Sequence, residues 1–191
     1  EADIEIVSIA SALLKALGAK NSDFVIRINS RELLTAACKS AGLNAEESRR
    51  YLRLLDKKAK LTSKVFDAAR IAITAKDPLA LVTEAGSPAE VASEKRALLD
   101  TIEALQKRGV TNAVFDPTLT RGFDYYTGIV FEIFDTNPAN PRSLFGGGRF
   151  DKLVALFGGD PLPAIGFGMG DVTLSDFLET HKLTSKVTMH I

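Results

Sequence analysis

The sequence is poor in the features that would place a protein outside the cell or in a membrane. It contains one cysteine, Cys38, which excludes an internal disulfide and fits a reducing compartment. The longest uncharged apolar-rich run, Ile6 to Leu14, is far shorter than the roughly 20 residues that span a bilayer. The chain opens acidic, with Glu1, Asp3 and Glu5, where a secretory signal would be basic. We therefore expect a cytoplasmic protein with no membrane partner.

An excess of charge of one sign is also missing, because 24 Lys and Arg balance 24 Asp and Glu. No overall basic field indicates nucleic acid, so any such partner must be held by a local patch. The only histidines, His181 and His190, have no second ligand at metal spacing, so we expect surface residues and no metal site. The 191 residues fit one domain with an insertion. Since the chain starts without Met and inside a helical pattern, we expect a fragment.

The order of helix and strand patterns predicts an α+β fold. Helical spacing occurs at about residues 3–17, 31–41, 45–81, 88–107 and 171–181, with Asn29-Ser30 as the turn and N-cap before the second of these segments. Strand patterns occur at about residues 24–29, 126–134 and 163–169, and the last of these is typical of a buried strand. A tight glycine loop is expected at residues 146–148 and a short helix at 151–157. The absence of βαβ alternation indicates a mostly antiparallel sheet with flanking helices. We expect a core of residues 1–37 and 110–191, interrupted by a helical insertion of residues 38–109.

A polar cluster beside the second strand pattern is the first candidate site. Arg121, Asp124, Tyr125 and Tyr126 lie within six residues. Arg121 offers a planar, permanently charged donor fork that suits a phosphate or a carboxylate. Successive side chains of an extended chain point to opposite faces, so at most one tyrosine should enter a given pocket directly. By spacing alone, an ion pair of Arg121 with Asp124 beside two packed tyrosines explains the segment better than a ligand site.

Two glycine-rich segments follow. The three glycines at residues 146–148 would let backbone N–H groups approach an anion at a helix start, although glycine runs also simply make turns. No Gly-Lys-Ser/Thr follows them, which excludes a Walker loop. Residues 163–171 are only superficially similar to a dinucleotide fingerprint, because the spacing is wrong and no βαβ unit surrounds them.

Taken in order, these segments resemble the histidyl-tRNA synthetases, a class II aminoacyl-tRNA synthetase family. Residues 121–134 (RGFDYYTGIVFEIF) resemble the histidine-specific signature, usually Arg-Gly-Leu-Asp-Tyr-Tyr. Residues 146–159 (GGGRFDKLVALFGG) resemble the Gly-Gly-Arg-Tyr-Asp signature, and residues 163–170 (PAIGFGMG) resemble motif 3. Residues 24–34 (FVIRINSRELL) extend the match. One such motif arises easily by chance, whereas three in order are specific.

The resemblance implies a class II synthetase-like fold, with a six-stranded antiparallel sheet that binds ATP and histidine. It implies ATP-dependent activation of histidine to histidyl-adenylate, transfer to tRNA(His), Mg²⁺ accompanying ATP, and a homodimer in the full-length protein. The core would then be the catalytic core. Motif 1, motif 2 and an anticodon-binding domain are missing from these residues, so we expect the fragment alone to be inactive.

The resemblance also implies roles for individual residues. Arg121 would contact the histidine carboxylate and the α-phosphate of ATP during adenylation. The histidine pocket would further include Tyr125, Tyr126, Gly147, Gly148 and Phe150. ATP would lie against Gly168, Gly170 and Thr173. The sequence departs from the family at Phe150, where a Tyr is usual, and at Thr173, which replaces the Arg that clamps ATP.

A basic run in the predicted insertion is the candidate tRNA contact. Its members, spaced three or four residues apart, are Arg50, Arg53, Lys57, Lys60 and Lys64. On one continuous helix this spacing makes a single basic stripe. In the family the insertion approaches the tRNA acceptor arm, so phosphate contacts are expected. A solvated helix face explains the run equally well.

Two other functions fit the same fold. The synthetase-like regulatory subunit of ATP phosphoribosyltransferase, in histidine biosynthesis, shares the Tyr-Tyr-Thr-Gly element and performs no aminoacylation. Thr173 favours this alternative, while Arg121-Gly-Phe-Asp124 and the length of the insertion favour the synthetase. A synthetase-like sensor domain attached to a kinase, which would bind uncharged tRNA, is the third possibility.

Overall fold

The structure is a computed structural model that describes residues 1–121 and 125–183. The helices are α1 (Ala2–Ala16), α2 (Arg31–Ser40), α3 (Ala45–Asp56), α4 (Ser63–Ile71), α5 (Pro78–Thr83), α6 (Ala89–Lys107) and α7 (Asp171–Thr180). The strands are β1 (Phe24–Ser30), β2 (Ala113–Phe115), β3 (Ile129–Asp135), β4 (Ser143–Arg149) and β5 (Ile165–Met169). Short 3-10 turns occupy Lys58–Lys60 and Val154–Phe157. None of the helices in these ranges is long and apolar enough to cross a membrane.

Within the described residues the strands form one sheet of five strands, one fewer than the six that the resemblance implies, in the order β2-β1-β3-β4-β5. β1 pairs with β2 in parallel, and the other three pairs are antiparallel. The predicted α+β class and the mostly antiparallel sheet are therefore confirmed. Residues 163–169 were expected to form a buried strand, but the observed strand β5 is half-exposed. It lies at the edge of the sheet, where it has a strand neighbour on one side only among the described residues.

The two faces of the sheet carry different chemistry. Ile26, Ile133 and Phe145 lie side by side on one face, where α1, α6 and α7 cover them with apolar side chains. On the other face one row runs across the strands, from Arg27 through Glu132 and Gly146 to Gly168. Directly paired residues share a face. The second face is thus polar and glycine-rich, and it is the face on which the candidate site lies.

A second apolar cluster holds the shorter helices together. Its buried members are Leu34, Cys38, Tyr51, Leu52, Leu55 and Phe66. It is separate from the main core, to which α6 contributes Val91, Leu98, Ile102 and Leu105. The division of the chain at residues 38 and 109 remains a prediction.

The helical pattern at residues 45–81 does not form one long helix. Asn44, with a capping box, starts α3, and two further N-caps interrupt the pattern, namely Thr62 and Asp77 ahead of Pro78. Such side chains accept hydrogen bonds from the first free backbone N–H groups and so start a new helix. The predicted N-cap Ser30 is confirmed, since its hydroxyl accepts from the backbone N–H of Leu33.

The short helix expected at residues 151–157 is present over a shorter range, as a 3-10 helix at Val154–Phe157. Two further expectations were wrong. The glycines 146–148 lie inside β4 rather than in a tight loop. The His181 side chain is 17% exposed, with Nε2 2.7 Å from Oδ1 of the fully buried Asp135 side chain, because the end of α7 packs against the β3–β4 connection. His190 lies outside the described residues.

Candidate active site

Arg121 lies in the connection between β2 and β3, against the polar face of the sheet. Its side chain is 14% exposed, and Nη1 is 3.4 Å from Oε1 of Glu132. Nη1 also donates to the carbonyl oxygen of Phe131 at 3.2 Å, and the guanidinium carbon is 5.6 Å from the Tyr126 ring centre. The predicted partner Asp124 lies outside the described residues. Among the described groups, the ion-pair partner of Arg121 is Glu132.

The segment that carries Arg121 is anchored by a residue that the sequence reasoning missed as part of the site. Asn29 is fully buried at the end of β1. Its Nδ2 donates to the carbonyl oxygens of Pro117 at 3.2 Å and of Leu119 at 2.8 Å. A carboxamide at the end of the strand pattern Phe24–Asn29 was the available signal, because a buried amide needs hydrogen-bond partners. Asn29 thus fixes the segment just before Arg121.

Two glycines of β4 leave the space that the site side chains occupy. A Cβ on Gly146 would overlap Nη1 of Arg121 and the Phe131 carbonyl oxygen. A Cβ on Gly148 would lie 2.5 Å from the Ile129 carbonyl oxygen and 2.8 Å from the Tyr126 ring. Both glycines therefore leave space on the polar face of the sheet, because alternate residues of a strand point to the same face.

Gly147 points to the other face. A Cβ there would overlap the Gly166 carbonyl oxygen and lie 2.6 Å from the Phe167 side chain. Its visible role is to let β4 and β5 approach on the core side. The predicted place of Gly147 in the histidine pocket stays a prediction.

The aromatic residues of the two signatures form one cluster. The Tyr125 and Tyr126 ring centres are 4.6 Å apart, and they lie 6.0 and 6.5 Å from the Phe150 ring centre. The expectation that the tyrosines face opposite sides was wrong, because β3 begins only at Ile129 and the tyrosines lie before it, outside the extended strand. Burial and the neighbouring Tyr125 raise the pKa of Tyr126 to about 12. The Tyr126 phenol is therefore protonated at neutral pH.

Two cavities meet at Arg121. The larger, of about 400 Å³, is lined by charged residues of both signs, namely Arg27, Lys58, Arg121, Asp56, Asp116 and Glu132, and by six further residues. The smaller, of about 240 Å³, is lined by Arg31, Leu52, Arg53, Asp56, Lys57, Thr120 and Arg121. Asp56, Thr120 and Arg121 border both. Burial raises the pKa of Glu132, and the negative charge of Asp56 adds to this effect, while Arg121 opposes it.

The predicted basic stripe is divided by the structure. α3 ends at Asp56 and α4 begins at Ser63, so a single continuous stripe is wrong. Arg53 and Lys57 line the smaller cavity beside Arg121. Arg50, Lys60 and Lys64 are exposed and line neither of these two cavities.

The residues predicted to bind ATP lie at β5 and α7. Gly168 shares the row of Gly146, and the space where its Cβ would lie is open. Gly170 is the N-cap of α7. Thr173 donates its hydroxyl to the Leu144 carbonyl oxygen at 2.7 Å, so this side chain makes a packing contact with β4. The ATP contacts of all three remain predictions.

Comparison with known proteins identifies the family. The family model described as histidyl-tRNA synthetase matches residues 1–172. The chain belongs to the histidyl-tRNA synthetase family. The histidine–tRNA ligase of Leptospira biflexa is 38% identical over 95% of this chain and 45% of its own length. That of Halorubrum lacusprofundi is 35% identical over 92% of this chain and 44% of its own. The chain thus spans less than half the length of these curated relatives.

Solved structures have the same fold. The histidyl-tRNA synthetase from Nostoc sp. PCC 7120 superposes with a TM-score of 0.77 at 22% identity, covering 96% of this chain and 48% of that one. A Bacillus halodurans protein described as an ATP phosphoribosyltransferase regulatory subunit/histidyl-tRNA synthetase superposes with a TM-score of 0.67 at 22% identity, covering 92% and 49%. At this identity the likeness shows the fold alone. The class II synthetase-like architecture is confirmed.

Proposed function

We propose that the full-length protein is a histidine–tRNA ligase, which activates histidine with ATP and transfers it to tRNA(His). The observation that supports this proposal best is the placement of Arg121. Its guanidinium lies over Gly146, beside Glu132 and Tyr126, and borders both cavities. A charged fork held in this way suits a reaction that joins a carboxylate to a phosphate.

Arg121 would stabilise the charge that develops when the histidine carboxylate attacks the α-phosphate and pyrophosphate leaves. A donor fixed before the reaction needs no reorganisation, and this is why such groups accelerate acyl and phosphoryl transfer. Arg121 has a φ of 48°, a conformation that a non-glycine residue adopts only when its surroundings impose it. Its Nε is buried and forms no hydrogen bond within the part of the chain that the structure describes. That donor would be directed at substrate.

The aromatic cluster would hold the imidazole. The protonated phenol of Tyr126 would donate to a ring nitrogen, while Tyr125 and Phe150 would pack around the ring. Gly148 supports this assignment because a side chain there would displace Tyr126. Gly147 and the ATP contacts at Gly168, Gly170 and Thr173 complete the proposed site.

The remaining partners follow from the same reaction. We expect Mg²⁺ to enter with the triphosphate of ATP, because the proposed reaction consumes ATP. For tRNA(His), Arg53 and Lys57 are the best-placed phosphate contacts, because they line a cavity that reaches Arg121. Arg50, Lys60 and Lys64 would add weaker, exposed contacts. We also expect the full-length protein to be a homodimer.

One observation favours a second candidate, a synthetase-like regulatory subunit of ATP phosphoribosyltransferase. Thr173 occupies the position of the ATP-clamping Arg, and its hydroxyl is engaged by the Leu144 carbonyl oxygen. A protein without that clamp would keep the fold and bind histidine without forming the adenylate.

Histidine-dependent ATP–pyrophosphate exchange by the full-length protein separates the two candidates. We expect exchange that requires histidine and collapses in Arg121→Ala. Arg96→Ala is the matched control, since Arg96 is exposed on α6 and pairs only with Asp100 among the described residues. A folded full-length protein that binds histidine without exchange would favour the regulatory subunit.

A further inference from the structure

We infer that Asp56, at the end of α3, is a positioning residue for Arg121. The inference rests on the proposed function and assigns a task in that reaction to a helix that precedes the histidine signature by more than 60 residues. Asp56 acts through Thr120, the residue directly before Arg121. The structure thereby links the helical cluster of α3 to the orientation of the guanidinium.

The contact is a hydrogen bond from a buried hydroxyl. Thr120 is 2% exposed, and its Oγ1 donates to Oδ1 of Asp56 at 3.1 Å. A hydrogen bond to an ionised acceptor is stronger than one between neutral groups. Without Asp56, the Thr120 hydroxyl would lose the acceptor that fixes its rotamer, and a buried hydroxyl without a partner is costly.

The neighbouring backbone explains why this contact matters. Arg121 has a φ of 48°, which costs a side-chain-bearing residue on the order of 1 kcal/mol or more and persists only when neighbours impose it. On one side Asn29 holds the Leu119 carbonyl oxygen at 2.8 Å. On the other, Arg121 itself reaches the Phe131 carbonyl oxygen. Asp56 holds Thr120, which lies between these two contacts, and so completes the set of contacts that restrain the backbone at Arg121.

The position of Asp56 in its own helix is unfavourable. It is the last residue of α3, where the helix dipole favours a cation rather than a carboxylate. A residue that breaks a local rule often serves a site elsewhere in the fold. Asp56 also lines both of the cavities that Arg121 lines, and its charge reaches the Arg121 partner Glu132, whose pKa it helps to raise.

The test compares variants that keep and remove the hydrogen bond in the full-length protein. Thr120→Val and Asp56→Ala remove it, whereas Thr120→Ser keeps the hydroxyl and Asp56→Asn keeps an acceptor oxygen. Thr101→Val is the matched control, because the Thr101 hydroxyl bonds only to the Ala97 carbonyl oxygen of its own helix among the described residues. The readout is kcat and KM for histidine in ATP–pyrophosphate exchange.

We expect kcat to fall about tenfold in Thr120→Val and Asp56→Ala, the size of effect that loss of one charged hydrogen bond produces. KM should change little, and the conservative variants should retain most of the rate. The double variant should be no slower than either single one, since both remove the same contact. Losses that multiply in the double variant, or a Thr120→Val rate within twofold of the original, would overturn the inference.

A second measurement does not depend on catalysis. The Nε–H resonance of Arg121 in the NMR spectrum of the full-length protein, assigned by its loss in Arg121→Lys, reports the guanidinium environment directly. It should shift in Thr120→Val and Asp56→Ala and stay in place in Thr120→Ser and Thr101→Val. Absence of ATP–pyrophosphate exchange in the full-length protein would contradict the proposed function, whereas an unshifted Arg121 resonance would contradict the positioning role of Asp56.

Discussion

The two halves of the sheet are built from opposite kinds of residue. β1 and β3 place Ile26, Ile28, Phe131 and Ile133 on the core face, and all four are fully buried. β4 carries Gly146, Gly147 and Gly148 in a row, and β5 is half-exposed. The first half stabilises the fold through its buried apolar side chains, and the second leaves space beside its glycines.

The contrast shows how one sheet can be both stable and open to a ligand. Burying large side chains stabilises the fold in proportion to the apolar area removed from water. Glycines contribute little to this term, but they let Arg121 and Tyr126, which come from another segment, lie close against β4. The site therefore depends on the missing Cβ atoms of one half and on the rigidity that the other half gives to β3.

The largest expected effect tests the stabilising half. Phe131→Ala removes a fully buried ring from β3 and should lower the free energy of unfolding by about 3–5 kcal/mol. Phe157→Ala, at a ring that is 85% exposed, should change it by less than about 0.5 kcal/mol. Urea denaturation of both variants measures the difference. Equal losses would mean that the exposed segment after β4 is packed as tightly as the core.

The next effect tests the open half. Gly146→Ala should lower the free energy of unfolding by about 1–3 kcal/mol, because the new Cβ forces Arg121 and the β3 backbone to move. Gly168→Ala is the matched control in the same row, since nothing lies within 4 Å of its Cβ position. Denaturation and ATP–pyrophosphate exchange should both separate the two variants. Similar results for both would show that Arg121 does not need the space at Gly146.

A smaller effect concerns ligand binding at the aromatic cluster. Tyr126→Phe should weaken histidine binding by about 1–3 kcal/mol, because a polar partner in the pocket is left unpaired. Isothermal titration calorimetry of the full-length protein with histidine measures it, and Tyr125→Phe serves as the comparison. An unchanged affinity in Tyr126→Phe together with a loss in Tyr125→Phe would move the imidazole contact to Tyr125.

Much of the secondary structure could be predicted from the sequence, because the signals for helices and strands are local. Helix α6 and the Ser30 cap follow from apolar spacing and from a side chain that meets the backbone within a turn. The glycine run was misread as a loop, because whether glycine marks a turn or a close approach depends on the segment that lies against it. The prediction of a single basic stripe was wrong because α3 ends at Asp56 and the N-cap Thr62 starts a new helix, in spite of the helical spacing of the basic residues.

Within the site, contacts between residues far apart in the sequence could not be predicted. The signatures located Arg121, Tyr125 and Tyr126, but no local pattern joins Asn29 to Leu119 or Asp56 to Thr120, which are 90 and 64 residues apart. The residues that hold the site were therefore harder to find than those that would act in it.

The smallest expected effect concerns Glu132, which joins the two halves because it lies on β3 opposite Gly146. Burial raises its pKa above the ordinary 4.5, so the folded state binds the proton more tightly than the unfolded state does. Stability should then fall as the pH rises from about 4.5 through the raised pKa, since the buried carboxyl must ionise. Glu132→Gln, which keeps the shape and an acceptor oxygen for Arg121, should remove this part of the pH dependence. Urea titrations between pH 4 and pH 7 would contradict the assignment if the variant and the original protein gave parallel curves, because Arg121 would then hold Glu132 ionised throughout.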